Sequence, residues 1–353
     1  LRYPAYQGDL STICWVYGID KDFYPPTGSI VINAGATYTT STSVTLTVSA
    51  SDYGSGVASM RFSNFPDAWF WGIWFPDFVW SKWYPYATSA SWTLWPGDGT
   101  KTVFAQFMDK KGLMTEALSI PADSIILDTT PPVGSIVING GNVYTTSTSV
   151  TLTLAYWDFT SGVWWVRYSN DGTAWTAWES PSTTKAWTLT PGDGTKTVYY
   201  QIQDHAGLIS LTYVDTIILD ATPPTGSILI NGGNVYTQWP YVTLSLTYND
   251  FTSGVWRVRY SNDGSTWTLW ESPLPFRYWI LTPGDGWKNV YYQVQDYAGN
   301  PSTFMDDIIL DSTPPTTVAS HGNPSSVVSL SAFDAWGVAA TYYRIDWGPW
   351  QLY

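Results

Sequence analysis

The chain is built around a stretch that opens with Pro131-Pro132-Val133-Gly134-Ser135-Ile136-Val137-Ile138-Asn139-Gly140-Gly141 and closes with Asp215-Thr216-Ile217-Ile218-Leu219-Asp220. The same opening returns 92 residues later, with Gly226 in the place of Gly134. An earlier copy, with Gly28 in that place, precedes it by 106 residues. Self-similarity at a fixed long period is the signature of a tandem array. The sequence therefore predicts several successive copies of one fold.

These copies divide the 353 residues into five segments. The predicted domains are the terminal strands of a partial domain at 1–24, complete domains at 25–130, 131–222 and 223–313, and the N-terminal half of a further domain at 314–353. Each complete copy is close to the usual size of a domain. The first copy is longer mainly because of an aromatic insertion at residues 65–80.

The second copy has the alternation that β-strands require. Val150, Leu152 and Leu154 fall on one face of a strand, and hydroxyl side chains fall on the other. The predicted strands are Ser135–Asn139, Ser149–Tyr156, Val163–Ser169, Ala174–Trp178, Ala186–Thr190, Lys196–Gln203 and Asp215–Leu219. Seven short strands separated by turn sequences are typical of a two-sheet sandwich. The fold class is therefore all-β, a tandem array of seven-stranded Ig-like antiparallel β-sandwiches with partial domains at both ends.

The composition excludes several classes of partner. The net charge is −13 with only 15 Lys plus Arg, so that no basic face for nucleic acid can form. No apolar run approaches the length of a membrane span, so we expect no membrane-spanning segment. Cys14 is the single cysteine, so the domains have no internal disulfide.

The sequence does not predict an enzyme. The two histidines, His205 and His321, have neither a serine elbow nor a cysteine partner nearby. The aspartates recur at matching turn positions in every copy, as structural residues do.

Four motifs of the third copy resemble the tandem bacterial Ig-like, or fibronectin-III-like, repeats of prokaryotic surface proteins. They are the linker run Asp220–Ile228, the loop 250–255, the hairpin 259–267 and the turn Gln295–Asn300. The resemblance covers nearly the whole chain and implies an extracellular or cell-surface location. It is specific for architecture and carries little about function, because such modules serve as stalks, adhesins, fibre subunits and spacers.

Three aspartates of each copy are expected to converge at the end where the chain enters a sandwich. In the second copy they are Asp128, Asp158 and Asp204, and in the third Asp220, Asp250 and Asp296; Asp52 and Asp109 with Asp20 or Asp22 form the first set. Three carboxylates repel one another unless a hard cation such as Ca²⁺ joins them. The alternative is that each aspartate caps its own turn through the backbone.

Tryptophan is abundant, with 23 residues. The insertion supplies Trp69, Trp71, Trp74 and Trp80, and the consecutive Trp164 and Trp165 cannot both face one core. Exposed rings bind sugar faces or pack against another subunit. Packing against a subunit is favoured, so these six residues are the candidate interface.

The leading functional hypothesis is a structural subunit of an extracellular fibre or surface filament. Copies of the chain would join head to tail, either because the polypeptide continues or through β-strand complementation between partial domains. The alternative is an adhesin stalk or carbohydrate-binding appendage of a secreted protein, with surface glycans as partners. Neither hypothesis needs a cofactor other than Ca²⁺ at the domain junctions.

Overall fold

The computed structural model describes residues 22–65, 69–70, 73–74, 80–321 and 328–353. Within these ranges the regular structure consists of β-strands and three short 3-10 turns, Asn33–Gly35, Ala117–Ser119 and Asn139–Gly141. None of the described residues forms a helix long and apolar enough to cross a membrane. The partial domain predicted at 1–24 falls almost wholly outside the described residues.

The strands follow the repeat. Those of the first copy are β1 Thr27–Ile32, β2 Tyr38–Thr39, β3 Ser43–Ser51, β4 Val57–Ser63, β5 Trp69–Phe70, β6 Ile73–Trp74, β7 Tyr84–Pro85, β8 Ser89–Thr93, β9 Gly99–Asp109 and β10 Ala122–Leu127. Those of the second copy are β11 Val133–Ile138, β12 Tyr144–Thr145, β13 Ser149–Trp157, β14 Val163–Ser169, β15 Thr184–Thr188, β16 Gly194–Asp204 and β17 Tyr213–Leu219.

The third copy repeats the pattern of the second. Its strands are β18 Thr225–Ile230, β19 Tyr236–Thr237, β20 Tyr241–Asn249, β21 Val255–Ser261, β22 Phe276–Ile280, β23 Gly286–Asp296 and β24 Pro301–Leu310. The last segment contains β25 Thr316–His321, β26 Val328–Phe333, β27 Tyr342–Tyr343 and β28 Gln351–Leu352.

Each complete copy contains two larger sheets, and the first copy also contains the separate two-stranded sheet β5-β6. The second copy has the orders β11-β13-β15 and β12-β17-β16-β14, and the third copy has β18-β20-β22 and β19-β24-β23-β21. In the third copy the buried side chains come from both sheets, for example Leu244 of β20 and Tyr292 of β23. Seven strands in these two orders are an Ig-like β-sandwich, as the sequence predicted. In the first copy β7 adds a fifth strand to the second sheet.

One of the seven strands differs from the expectation. The segment Ala174–Trp178 is not a strand: it makes one isolated bridge, Ser169 to Trp175, and a second bridge follows it at Glu179. The N–H groups of Thr173 and Ala174 instead donate to the Asp171 carboxylate, each at 2.7 Å. Local capture of backbone donors by an Asp side chain competes with strand pairing.

The seventh strand is the two-residue β12, which the sequence did not predict. It pairs with β17 in parallel, Tyr144 opposite Ile218, so that the sandwich is not purely antiparallel. The chain reaches it through Asn139 and Gly140, both at positive φ (46° and 65°), which let it leave one sheet and join the other. A two-residue strand is too short for alternation to reveal.

The last segment has an open face. β25 and β26 pair in the register that β18 and β20 have, with Ala319 opposite Leu330. Val328 is 56% exposed, whereas Leu244, which has the same register position in β20, is fully buried. Among the residues that the structure describes, no further strand joins β25 and β26.

The described part of the chain up to Val137, with Leu152–Lys185 and Val198–Asp215, forms one compact unit. The other unit contains Ile138–Thr151, Ala186–Thr197 and Thr216–Tyr353. The first copy therefore lies in one unit and the third copy in the other.

Candidate cation sites at the repeat junctions

The aspartates that the sequence grouped do come together. One carboxylate oxygen of each of Asp128, Asp158 and Asp204 lies within 4.8 Å of the other two. Asp128 follows the last strand of the first copy, Asp158 follows β13, and Asp204 ends β16. The third copy repeats the group with Asp220, Asp250 and Asp296, and the first copy has it with Asp22, Asp52 and Asp109.

In the second copy, a loop holds Asp158 in place. Its Oδ1 accepts hydrogen bonds from the N–H groups of Thr160, Ser161 and Gly162, at 3.1, 2.9 and 2.7 Å. Gly162 has φ +78°, a conformation that glycine adopts without strain. The Ser161 N–H also donates to Asp128 Oδ2 at 3.1 Å. The turn-capping alternative is therefore correct for part of each carboxylate.

Asp204 keeps one oxygen free. The residue is fully buried, its Oδ1 accepts the Leu208 N–H at 2.8 Å, and its Oδ2 has no hydrogen-bond partner. Burial raises the pKa of Asp204, and the charges of Asp128 and Asp158 raise it further, against the effect of the Leu208 N–H. A buried carboxylate oxygen without a partner costs free energy unless a proton or a cation meets it.

The first site has three such oxygens. Asp22 Oδ1, Asp52 Oδ1 and Asp109 Oδ2 are all buried and all lack a hydrogen-bond partner. The approach of Asp22 depends on Gly54, because a Cβ at that position would lie 2.3 Å from the Asp22 carboxyl carbon. The unsatisfied oxygens of three aspartates thus meet at one place.

At the third site, a side chain of the protein donates hydrogen bonds to the aspartates. Asn300 stands where the second copy has Leu208, and its Nδ2 donates to Asp296 Oδ2 at 2.8 Å and to the Asp220 backbone oxygen at 2.9 Å. Burial raises the pKa of Asp296, while the Asn300 hydrogen bonds lower it. The three sites therefore differ in how many of their buried carboxylate oxygens receive hydrogen bonds from the protein itself.

The residues fit a hard divalent cation. All of the side-chain donors are carboxylate oxygens, the ligands that Ca²⁺ and Mg²⁺ prefer, and no histidine or cysteine belongs to any of the three groups. Calcium accepts irregular oxygen geometry, whereas magnesium requires a near-ideal octahedron. Three loops with their own backbone constraints suit calcium better.

A row of aromatic rings in contact accompanies two of the sites. His205 follows Asp204 and lies between Trp164 of its own copy and Tyr38 of the first copy, at centroid distances of 5.7 and 6.0 Å. Tyr297 occupies the matching position in the third copy and stacks on Trp256 and on Tyr144 of the second copy, at 6.1 and 6.2 Å. The rings join consecutive copies beside the carboxylates.

A second aspartate binds each linker. Asp98 Oδ1 accepts the N–H and hydroxyl of Thr129, at 2.9 and 2.7 Å, and its Oδ2 accepts the Thr130 hydroxyl at 2.5 Å. Asp193 likewise accepts hydrogen bonds from the Ala221 N–H and the Thr222 hydroxyl. The Thr130 hydroxyl is the main reason that the pKa of Asp98 is lowered. The linkers are therefore held by the copies that precede them.

The aromatic candidates are placed as follows. Trp69 and Trp74 lie opposite each other in the β5–β6 hairpin, and Trp71 lies outside the described residues. The Trp80 ring lies 5.0 Å from the Arg61 guanidinium carbon. Trp164 is 46% exposed and belongs to the ring row, and the half-buried Trp165 contacts it at 5.3 Å.

Sequence reasoning missed three features of the junction. They are the amide of Asn300, the linker contacts of Asp98 and Asp193, and the tyrosines Tyr38 and Tyr144. The Pro-Gly-Asp-Gly turns recur in every complete copy, which was the available signal for Asp98 and Asp193. No feature of the sequence predicts that a tyrosine of one copy contacts an aromatic ring of the next.

No protein-family model and no curated protein sequence matches the chain. Among solved structures, a structure concerning host cell-surface retention of a 1.5-MDa bacterial ice-binding adhesin is 15% identical, with a TM-score of 0.40, and the match covers 81% of this chain and 98% of that one. A tetra-tandem repeat from the extending region of a large adhesion protein is 17% identical over 82% and 75% of the two chains, with a TM-score of 0.29.

The fibronectin(III)-like modules of Clostridium thermocellum CbhA are 14% identical, with a TM-score of 0.32, over 50% of this chain and 93% of that one. With TM-scores below 0.5, these similarities do not decide the function.

Proposed function

We propose that the chain is a structural segment of an extracellular fibre or surface filament, in which Ca²⁺ stiffens the junctions between Ig-like domains. The observation that carries this proposal is the convergence of three carboxylates at each of the first two sites, with three buried, unpartnered oxygens at the first site and one at the second. Binding there removes the repulsion among three aspartates from different loops and ties the linker aspartate to the following sandwich. The chain then spans distance and bears tension, and it does not catalyse a reaction.

The remaining junction contacts support a stiff connection. Paired prolines follow each linker aspartate, and a Pro-Pro pair favours an extended backbone with little slack. The stacked rings and the Asp98 and Asp193 contacts add further constraints on both sides of the linkers.

We expect copies of the chain to join head to tail. The open face of β25 and β26 supports this step, because strands from a continuing polypeptide or from a second copy would cover it. The denaturing-gel mass of native material separates the two routes. A band well above 39.3 kDa indicates continuation, and a band at that mass in long threads indicates complementation. Isolated short rods under the electron microscope would contradict the fibre.

The cation is tested by thermal unfolding of the full chain with EDTA and with 10 mM CaCl₂. With a dissociation constant on the order of 10⁻⁴ M, as in extracellular modules, this calcium concentration stabilises a site by about 2.7 kcal/mol. We expect a clear upward shift of the midpoint, and a smaller shift in an Asp52→Asn, Asp109→Asn variant. Equal midpoints in calcium and EDTA would contradict a cation at these sites.

An adhesin stalk or carbohydrate-binding appendage remains the second candidate, on the basis of the aromatic insertion. Binding of surface glycans by the full chain, and its loss when residues 65–80 are replaced by the shorter loop of the second copy, would favour that function. Unchanged self-assembly of the same variant would show that the insertion is not a fibre contact.

A further inference from the structure

The third copy has an apolar outer face that the first two copies lack. Five large side chains on one side of β20 and β22 and in the turn before them are more than half exposed: Trp239, Tyr241, Phe276, Tyr278 and Ile280. At the matching positions the first copy has Ser41, Ser43, Ser89, Ser91 and Thr93, and the second has Ser147, Ser149, Thr184, Ala186 and Thr188. The fold does not need these large side chains, because the same strands form without them.

The face lies at an open edge of a sheet. β22 is the outermost strand of the order β18-β20-β22 in the described chain. Leu246 N–H donates to Pro275 O and Leu281 N–H donates to Pro240 O, which fixes the odd-numbered residues of β22 as those bonded to β20. The backbone N–H and C=O groups of Phe276 and Tyr278 consequently point away from the sheet. Natural proteins seldom leave such an edge apolar and exposed.

We propose that this edge pairs with the same edge of a second copy of the chain, forming a two-fold symmetric, six-stranded sheet. β22 has five residues with Tyr278 at its centre. An antiparallel pair with the axis at Tyr278 places Tyr278 opposite Tyr278 and Phe276 opposite Ile280 of the second copy. Every outward backbone group then faces a complementary one, as an isologous contact requires.

The Ile280 oxygen already accepts the Asn262 amide at 3.2 Å. A carbonyl oxygen has two lone pairs, so it still has one for the Phe276 N–H of the second copy. The existing hydrogen bond therefore does not block the pairing.

Charge does not prevent a second copy from approaching this edge. The five exposed side chains are all uncharged, and Arg277 lies on the opposite face, where it pairs with Glu271 and covers the Tyr260 ring. Two chains of net charge −13 repel each other, and an uncharged face is where close approach costs least.

The contact is small. The paired edges cover the outward backbone groups of β22 and the facing sides of Phe276, Tyr278 and Ile280, whereas Trp239 and Tyr241 belong to β20 and the turn before it and lie outside the pairing. A standard interface buries roughly 800 Å² per partner, so we expect an association weak enough to depend on concentration in the micromolar range.

The ring geometry disfavours a sugar as the occupant. Phe276 and Tyr278 are set edge to face, with 79° between their planes and 6.2 Å between centroids. Two rings set edge to face present no common flat surface to a sugar ring, whereas edge-to-face contacts are usual among packed protein side chains. A cavity of about 490 Å³ beside Tyr241, Thr243, Tyr278 and Ile280 offers room for a side chain of the second copy.

The first test is the oligomeric state of the full chain by sedimentation at 1–100 µM with calcium present. We expect a concentration-dependent dimer, and at least a tenfold weaker association when Phe276→Thr, Tyr278→Ala and Ile280→Thr introduce the residues of the second copy. The control is Trp287→Thr, which removes another exposed ring of the third copy, on the other sheet, and introduces the residue of the second copy there. Its association should not change.

The second test reads the register. In a Cys14→Ser background, Tyr278→Cys should cross-link to itself on mild oxidation and give a band at about twice 39.3 kDa, because Cα atoms directly opposite each other are about 5.5 Å apart. Ile280→Cys should not, since its partner is residue 276. A monomer at every concentration, association that survives the triple variant, or equal cross-linking of both cysteine variants would overturn the proposal. So would glycan binding that the triple variant loses while the chain stays monomeric.

Discussion

A glycine stands at the second residue of the first strand in each complete copy, because two elements meet there. A Cβ on Gly226 would lie 2.6 Å from the Thr247 oxygen and 2.9 Å from a ring carbon of Phe304. Gly28 and Gly134 are enclosed in the same way. Their φ angles are not positive, so close approach, and not backbone freedom, is what requires glycine.

We expect Gly226→Ala to destabilise the third domain by about 1–3 kcal/mol, the usual effect of overpacking a filled core. Urea unfolding of the full chain should show an earlier transition for one domain. Ser227→Ala, at an exposed neighbouring position, is the control and should change stability little. Equal stability of Gly226→Ala and the parent chain would show that Phe304 moves aside without cost.

One position of the repeat, Leu208 in the second copy and Asn300 in the third, determines how strongly the stability of a junction depends on the cation. We expect Leu208→Asn to give the free Asp204 oxygen an amide partner, raising stability in EDTA by about 1.5–3 kcal/mol and reducing the calcium-induced shift. Asn300→Leu should do the opposite at the third site. The measurement is the midpoint with calcium minus that with EDTA for both variants. A change of the same sign in both would contradict the role of this amide.

At the scale of elements, the short strand that crosses between the sheets is what ties the two sheets together. In the third copy, β19 holds the last strand through hydrogen bonds from Ile309 N–H to Val235 O and from Asp311 N–H to Thr237 O, both 2.9 Å. The crossing depends on Asn231, which has φ +47° and accepts the Thr243 N–H at 2.9 Å.

Asn231→Ala should therefore cost about 1–2 kcal/mol, through the left-handed backbone and the lost hydrogen bond. Amide exchange should accelerate by up to about tenfold at Ile309 and Asp311. The Leu281 amide, which bonds to Pro240 in the other sheet, should be much less affected. Uniform acceleration of all three amides would indicate global destabilisation and would contradict a local role for the crossing.

In the whole molecule, we expect cation binding to change the accessibility of the linkers most. Ala221 is exposed and follows Asp220 directly. We expect elastase, which prefers small side chains, to cut at this linker faster in EDTA than in calcium, releasing fragments made of whole domains. Mass spectrometry identifies the cut. Cleavage that is slow in both conditions, or confined to residues 65–80, would mean that the junction does not loosen when the cation is removed.

The repeat, the alternation of apolar residues and the turn sequences were enough to predict Ig-like sandwiches in series. These features are local in sequence and recur with a period, so one chain reveals them. The grouping of Asp128, Asp158 and Asp204 followed from the same topology, because known loops of a sandwich meet at one end. The strand at Ala174–Trp178 was wrong: Asp171 binds the N–H groups of Thr173 and Ala174 where the strand would begin, and only isolated bridges at Trp175 and Glu179 follow.

Only the tertiary structure decided which carboxylate oxygens have partners, since that depends on whether residue 208 or 300 carries an amide that reaches across the loop. It also decided that Tyr38 and Tyr144 contact rings of the following copies, and that Phe276 and Tyr278 of β22 are exposed at an open edge. Sequence determines periodicity and local turns, but contacts between residues distant in the chain depend on how the sheets and loops pack in three dimensions.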